Sequence, residues 1–257
     1  MQFVMNRSQT PDSLRERLYE SYVSTHAGCS SAGAAAIAYR STVRPHLPAN
    51  AHGHRVLDIG CGQGGLVRLL DDDGFEARGI DISPEQVEFA HKAGLGQVEQ
   101  GDFHEHLGSS PDRWDAVVAT DVLEHLHKDE VLRTFDDVHK GLKPGGVFVA
   151  RVPNAVSPVG GNVMYSDVTH ETWFTRRSVA QLAAVAGFES TRTYPCSPVA
   201  HGITSAARVL IWKVASGLLK LTLAAETGEL RGHITTQNLV FVARKDRGVH
   251  AGQPDAV

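Results

Sequence analysis

The sequence predicts an α/β fold in which a mostly parallel sheet is covered by helices on both faces. From residue 54 onward, short apolar runs of strand length alternate with segments in which apolar residues recur at helical spacing. This alternation is typical of parallel sheets, because each crossover between parallel strands needs a long connection, usually a helix. A glycine-rich stretch, residues 56–65 (VLDIGCGQGG), joins the first strand of this pattern to its first helix. The 257 residues, 42% of them hydrophobic, can supply one such domain with additions.

The chain divides into four predicted parts. Residues 11–48 contain two helices, one opened by Pro11 and a second over residues 32–43. Residues 54–153 form the core, and residues 154–245 contain a long loop, an apolar helix and the last strands. Residues 246–257, rich in Gly, Pro, Asp and His, are predicted to be disordered.

Within the core, strands alternate with the predicted helices 65–70, 84–93 and 129–142. The strands are predicted to end at Ile59, Ile80, Gln100, Thr120 and Val152. Pro84 fits a first helical turn, and Ser83 before it is a plausible N-cap. Gly145 and Gly146 lie at the turn between a helix and the fifth strand, where a positive φ costs glycine little.

Residues 153–173 form a long predicted loop, and loops of that length inside compact domains are usually functional. A helix over 175–186, a strand over 188–193, a helix over 203–224 and a strand over 238–243 follow. The helix 203–224 is apolar on most of its circumference. This pattern fits burial under a cap, a dimer interface, or contact with a lipid-linked acceptor.

Composition excludes several classes of protein. A net charge of −4 and a pI near 6.4 provide no general attraction to nucleic acid. Three cysteines without a C-x-x-C pair indicate neither a disulfide framework nor a zinc site, and they fit a reducing compartment. The chain has no apolar signal segment at its start and no uninterrupted apolar stretch for a membrane span, so a cytoplasmic protein is expected.

The glycine loop by itself leaves the ligand open. Gly60, Gly62 and Gly65 fit the G-x-G-x-x-G spacing of dinucleotide sites, so a nicotinamide-dependent oxidoreductase is one hypothesis. Asp58, at the end of the first strand, is unfavourable beside a pyrophosphate and suits a cationic ligand better. A third hypothesis is a noncatalytic protein that uses the fold to bind a partner.

The stretch 56–65 resembles the first motif of the class I S-adenosylmethionine-dependent methyltransferases. Later segments resemble further parts of that family in the same order: residues 79–83 (GIDIS), 101–103 (GDF), 115–126 (DAVVATDVLEHL) and 142–154 (LKPGGVFVARVPN). Several ordered matches form a specific signal, where one alone does not. The resemblance implies a Rossmann-like sheet of seven strands in the order 3-2-1-4-5-7-6, mostly parallel, with the last strand antiparallel.

The same resemblance implies which residues bind S-adenosylmethionine. Asp58 would lie near its methionine amino group and sulfonium, Asp81 would hold the ribose hydroxyls, and Asp102 would contact the adenine amine. The other residues expected at the cofactor are Gly60, Gly62, Gly64, Ile82, Phe103, Asp121 and Tyr22. The helices of residues 11–48 would form a lid over the cleft, as in many relatives; the alternative is that Tyr22 packs against the sheet.

Residues after the fourth and fifth strands are expected near the transferable methyl group, because ligands of open α/β sheets bind beyond the carboxyl ends of the strands. His125 is the first candidate for a general base that takes the proton of an alcohol acceptor. His170 is the second, with Asp167 as orienting partner or base. The candidates for positioning the acceptor are Glu124, Tyr165 and Glu171. Because the chain has 14 histidines, an incidental position near the cleft is the alternative for each.

Asp167, His170 and Glu171 can alternatively be read as ligands of a divalent cation such as Mg²⁺ that holds two vicinal hydroxyls. The loop 153–175 and the apolar helix resemble methyltransferases of bacterial polysaccharide and glycosylated natural-product pathways. That resemblance implies O-methylation of a sugar hydroxyl on a small-molecule acceptor. Amine, carbon and phenol acceptors are the alternatives, and a homodimer is a further hypothesis.

Overall fold

The structure is a computed structural model that describes residues 32–200 and 202–248. The predicted helix that begins at Pro11, with Tyr22, lies outside the described residues. The same holds for most of the tail that was predicted to be disordered. The lid predicted for residues 11–48 is therefore described only from Ala32 onward.

One seven-stranded sheet forms the centre of the fold, in the order β3-β2-β1-β4-β5-β7-β6. Its strands are β1 (Arg55–Ile59), β2 (Glu76–Asp81), β3 (Val98–Gln100), β4 (Trp114–Thr120), β5 (Leu142–Pro153), β6 (Ser190–Pro195) and β7 (Asn238–Arg244). Neighbouring strands are parallel except around β7, which runs antiparallel to β5 and β6. The predicted strand order and the antiparallel last strand are confirmed.

Helices connect the strands on both faces of the sheet. The α-helices of the described residues are α1 (Ala32–Ala38), α2 (Gly65–Asp72), α3 (Pro84–Lys92), α4 (Phe103–Gly108), α5 (Lys128–Gly141), α6 (Gly160–Met164), α7 (Arg176–Val185) and α8 (Ile203–Thr227). The Ser83 side chain accepts the N–H of Gln86 and so caps α3, with Pro84 in the first turn as predicted. Gly145 has the expected positive φ, +79°.

The structure differs from the prediction mainly in short elements. The predicted helix 32–43 is α-helical only to Ala38 and continues as a π-helix (Tyr39–Val43) and a 3₁₀ turn (Arg44–His46). Segments as short as α4, α6 and the 3₁₀ turn Leu123–His125 show no periodicity, so the sequence does not predict them. The fifth strand was predicted to begin at Val147 but begins at Leu142, where a register shift lets it pair with Trp114.

Apolar side chains cover both faces of the sheet, which explains why its central strands read as continuous hydrophobic runs. On one face, the Phe135 ring of α5 packs against Phe148 and Phe241, with ring centroids 5.4 Å apart in both pairs. On the other face, Val67 and Leu70 of α2 are fully buried against the sheet. These two layers fix the carboxyl ends of β1, β2 and β4.

The long helix α8 leaves most of its apolar surface exposed. One narrow side faces the protein, where the Ser216 Oγ lies 2.7 Å from the Thr235 Oγ1. Leu210 and Leu218 on the opposite side are 64% and 63% exposed. Burial under a cap was therefore the wrong interpretation for this helix, because no further layer of the described residues covers its outer side. None of the helices in residues 32–200 and 202–248 has the length and apolarity to cross a membrane.

Candidate active site

The loops that follow β1 to β4 meet at the carboxyl edge of the sheet and enclose a cleft of about 520 Å³. Its walls come from the glycine loop after β1, the turns after β2 and β3, and residues between 121 and 133 after β4. A cleft of this volume is in the range of small-molecule and cofactor sites. It lies at the sheet edge where the sequence predicts the ligand site.

The glycine loop presents backbone rather than side chains to the cleft. Gly60 and Gly62 have φ values of +64° and +54°, a left-handed conformation that favours glycine. A Cβ atom on Gly60 would lie 2.5 Å from the Cγ2 of Val122, so no larger residue fits between this loop and the turn after β4. A ligand can therefore approach the backbone closely, next to the N-terminus of α2.

Asp81, at the end of β2, is fixed by two backbone hydrogen bonds. The N–H of Gly62 donates to its Oδ2 at 2.7 Å, and the N–H of Ser83 donates to its Oδ1 at 2.9 Å. Burial raises the pKa of Asp81, and these two N–H groups act in the opposite direction. A carboxylate offers about four acceptor positions. The side chain thus lines the cleft with capacity to accept the hydroxyls of a diol.

A wall beside Asp81 is apolar. Ile82 is 59% exposed and lines the cleft together with the partly buried Phe103. Asp102 caps α4, because its Oδ1 accepts the N–H of His104 at 2.7 Å. A flat aromatic ring with an amine at its edge fits such a wall. These residues and the glycine loop therefore suit S-adenosylmethionine, whose adenosine carries a ring and a diol.

Asp58 is buried at the end of β1, with 1% exposure, and its side chain is not among the described residues that line the cleft. Its Oδ1 accepts no hydrogen bond from the described residues. Burial, and next the negative charge of Asp81, raise the pKa of Asp58 well above its usual value. The resemblance implies a position near the methionine amino group and sulfonium, and this stays a prediction for the buried Asp58.

Asp121 lies on the cleft at the first position after β4. Its φ of +57° is unusual for a residue with a side chain. Arg151 of β5 holds it in place with two hydrogen bonds, one of them 2.8 Å from Nε to the Asp121 Oδ1. The guanidinium group thus fixes a strained turn in which Val122 contacts the glycine loop.

His125 lies at the end of the 3₁₀ turn and lines the cleft, with 6% exposure. Its Nδ1 lies 2.7 Å from the Oγ1 of Thr169, and that hydroxyl donates to the Oδ1 of Asp167 at 2.7 Å. Because the hydroxyl has one proton and gives it to the carboxylate, the Nδ1 of His125 must be the donor. A neutral His125 then carries its lone pair on Nε2, which is the form that a general base requires.

Glu124 and His170 lie next to His125. The His125 and His170 ring centroids are 4.7 Å apart. Glu124 is 1% exposed, and its Oε2 accepts no hydrogen bond from the described residues. Burial, followed by the negative charge of Asp121, raises the pKa of Glu124 well above its usual value. His170 is oriented by a contact of 3.2 Å between its Nδ1 and the carbonyl oxygen of Val163.

The predicted metal ligands are not brought together. Asp167 is turned toward Thr169, while Glu171 is exposed and lies 3.8 Å from the Nδ1 of His127. His170 instead shares a group with Glu124 and His125, in which possible ligand atoms lie within 4.8 Å of one another. A metal site at Asp167, His170 and Glu171 is therefore not supported within the described residues.

The remaining candidates for positioning the acceptor lie at the surface. Tyr165 is 84% exposed and touches Trp173 with ring centroids 6.0 Å apart. Neither Tyr165 nor Glu171 is among the described residues that line the cleft. Sequence reasoning missed Thr169, for which a D-x-T spacing within the loop was the available signal. It also missed three polar residues of the cleft wall: His127, Glu130 and Arg133.

The sheet order and the glycine loop define a Rossmann-like methyltransferase of class I. The chain belongs to the family described as methyltransferase domain, whose model matches residues 34–193. This membership places the chain among the class I S-adenosylmethionine-dependent methyltransferases and takes the place of the oxidoreductase hypothesis.

Individual relatives agree with this membership. The ubiquinone biosynthesis O-methyltransferase of Xylella fastidiosa (strain 9a5c) is 34% identical over 106 residues, which cover 39% of this chain and 42% of the relative. The chain thus aligns with about two-fifths of the length of such curated relatives.

Solved structures share the fold. A SAM-dependent methyltransferase of Archaeoglobus fulgidus has a TM-score of 0.64 and 21% identity, covering 89% of this chain and 99% of its own. Phosphoethanolamine N-methyltransferase 2 of Haemonchus contortus, in complex with S-adenosyl-L-methionine, has a TM-score of 0.59 and 18% identity, covering 92% of this chain and 61% of its own.

Proposed function

We propose that this enzyme methylates a hydroxyl group of a small-molecule acceptor, with His125 as the general base. The observation that carries the proposal is the chain of hydrogen bonds from Asp167 through Thr169 to the Nδ1 of His125. This chain directs the lone pair of the imidazole to Nε2 at the cleft. An alcohol must lose its proton during methyl transfer, so it needs a base held in this way. An amine or carbon acceptor depends less on such a base.

When bound, S-adenosylmethionine would supply the methyl group to the acceptor oxygen and leave as S-adenosylhomocysteine. The Nε2 of His125 takes the hydroxyl proton, so that the ring becomes an imidazolium. The Nδ1–H of His125 continues to donate its hydrogen bond to the Thr169 Oγ1. The carboxylate of Asp167, which accepts from that hydroxyl, stabilises the positive charge of the ring. Apart from this proton transfer, the cleft aligns the acceptor with the methyl group.

The cofactor-binding residues in this proposal are those of the sequence analysis. Asp81 accepts the ribose hydroxyls, Asp102 and Phe103 contact the adenine, and Gly60, Gly62 and Gly64 shape the loop. Ile82 covers the adenosine, and Asp121 faces the methionine end. Asp58 is assigned to the methionine end of the cofactor, as the resemblance implies. Tyr22 is assigned to the lid.

A sugar or glycoside is the acceptor that we propose. The polar wall of His127, Glu130 and Arg133 supports this choice, because several donors and acceptors in one wall suit a compound with several hydroxyls. Glu124 is assigned to the acceptor side of the cleft. Tyr165 and Glu171 are assigned to an outer position, where they meet only a large acceptor.

A phenolic ring is the second candidate acceptor. The relative from Xylella fastidiosa is named a ubiquinone biosynthesis O-methyltransferase and aligns with this chain over 106 residues. The base chemistry is the same for both acceptors, because a phenol also loses a proton. The two candidates differ in the acceptor pocket, which an alignment over 39% of the chain does not determine.

An acceptor screen tests both proposals. Purified enzyme is incubated with S-adenosylmethionine and with glycosides, nucleotide sugars, catechols or amines, and release of S-adenosylhomocysteine is measured. We expect turnover with a sugar hydroxyl and its loss in His125→Ala. Turnover confined to catechols would replace the sugar with a phenol. Turnover confined to amines and unchanged in His125→Ala would overturn O-methylation.

A further inference from the structure

The outer side of α8 carries a continuous apolar strip. Its members are Ile203, Leu210, Ile211, Val214, Leu218 and Leu221, each between 60% and 92% exposed. With about 100° of rotation per residue, they fall within an arc of roughly 100°. The buried Ser205 and Ser216 lie on the opposite side. Exposed apolar surface of this extent marks an interaction site rather than an ordinary protein surface.

The charges beside the strip are all of one sign. Arg208, Lys213 and Lys220 are the charged residues of positions 203–225, and the first acid is Glu226. The protein as a whole is negative, with a net charge of −4. Within residues 203–225, the strip is therefore accompanied only by positive charge.

We propose that this strip docks on the surface of an anionic phospholipid bilayer. A helix that presents a wide apolar face with flanking cations lies in the interface plane of a membrane, with the apolar face in the acyl boundary and the cations at the headgroups. A second copy of the chain fits the strip less well. Pairing of two helices over residues 203–225 brings only cations together, because this stretch contains no acid to offset them.

Sedimentation of the full chain with vesicles tests the proposal. The vesicles are phosphatidylcholine alone, or phosphatidylcholine with phosphatidylglycerol at a ratio of 3:1. We expect strong binding to the anionic vesicles only. Each cation near an anionic surface contributes about fivefold in affinity, so Lys213→Gln with Lys220→Gln lowers affinity about 25-fold. Leu210→Gln with Leu218→Gln lowers it about tenfold or more through the lost apolar burial.

Val185→Gln is the matched control, since Val185 is a similarly exposed apolar residue, 67%, at the C-terminal end of α7 and outside the strip. It should bind vesicles like the wild type. S-adenosylhomocysteine affinity of every variant, measured in parallel, shows that the fold is retained. The proposal is overturned if the wild type ignores anionic vesicles, or if the strip variants bind them unchanged. It is likewise overturned if the wild type is a dimer that the strip variants convert to monomers without any vesicle binding.

Discussion

The Nδ1 of His125 and the Oγ1 of Thr169 lie 2.7 Å apart although 44 residues separate them in the chain. The contact joins the 3₁₀ turn after β4 to the long loop after β5. The main chain supports the same junction, because the N–H groups of Glu171 and Thr172 donate to the carbonyl oxygen of Glu124. The orientation of the imidazole in the cleft therefore depends on how this loop is folded.

Thr169→Val removes the hydroxyl that orients His125 while keeping a similar volume. We expect kcat to fall about tenfold, because the ring loses its fixed tautomer, and His125→Ala to lower kcat by about 10² to 10⁴. S-adenosylhomocysteine affinity should stay within about twofold in both variants. Turnover kinetics and calorimetric titration measure the two effects separately.

Ser166→Ala is the control for Thr169→Val. It removes another hydroxyl from the same loop, one that donates only to the carbonyl oxygen of Val163. Its kcat should match the wild type. Equal kcat values for Thr169→Val and the wild type would contradict the role assigned to the hydrogen-bond chain.

Gly60→Ala should weaken cofactor binding and destabilise the protein. The new methyl group would lie 2.5 Å from the Val122 Cγ2, and the positive φ of +64° strains any residue with a Cβ atom. The strain alone costs about 1–2 kcal/mol. Urea unfolding and S-adenosylhomocysteine titration should therefore show a larger loss than that figure.

Gly94→Ala separates strain from the steric clash. Gly94 has a φ of +85°, and a Cβ atom there meets nothing within 4 Å. The free energy of unfolding of Gly94→Ala should fall only by the cost of the strain, and its cofactor affinity should be unchanged. Adding Val122→Ala to Gly60→Ala should recover part of the loss. Equal effects of Gly60→Ala and Gly94→Ala would show that the contact with Val122 does not matter.

The sequence predicts the fold well because its signals are local. Alternating strands and helices, the glycine turn and the Ser83 cap are each encoded within a few residues, and the order of the seven strands follows from the family resemblance. The candidate site is harder to predict. The partner of His125 lies on a distant loop, and neighbouring loop residues such as Asp167 and Glu171 point in different directions.

The exposure of α8 shows a second limit of sequence reasoning. Its apolar residues occupy nearly the whole circumference, so their spacing does not tell which side faces the sheet.

Asp58 illustrates the same limit for a single residue. A carboxylate at a strand end can face a ligand directly or lie behind the loop, and only the packing of the glycine loop distinguishes the two.

Glu124→Gln should be tolerated, whereas Glu124→Ala should not. Burial favours the neutral acid at this position, and an amide has nearly the same shape as a neutral carboxyl group. We expect the free energy of unfolding to change by less than about 1 kcal/mol in Glu124→Gln and to fall by about 2 kcal/mol in Glu124→Ala, which leaves a cavity. A loss of turnover in Glu124→Gln that added Mg²⁺ or Zn²⁺ modulates would instead indicate a metal ligand.

Asp58 should make the stability of the cofactor-free protein fall as pH rises. Its pKa in the folded protein is raised, first by burial and then by Asp81, so the folded state retains a proton that the unfolded chain releases above about pH 3.9. The contribution of this proton to the free energy of unfolding is therefore complete below that pH. It decreases as the pH rises toward the folded pKa, by up to about 1.4 kcal/mol per pH unit. Urea unfolding at pH 5, 6 and 7 should show a shallower decline in Asp58→Asn, which keeps the neutral shape, than in the wild type. The exposed substitution Asp72→Asn should leave the wild-type slope unchanged, and an Asp58→Asn slope equal to the wild type would contradict the raised pKa.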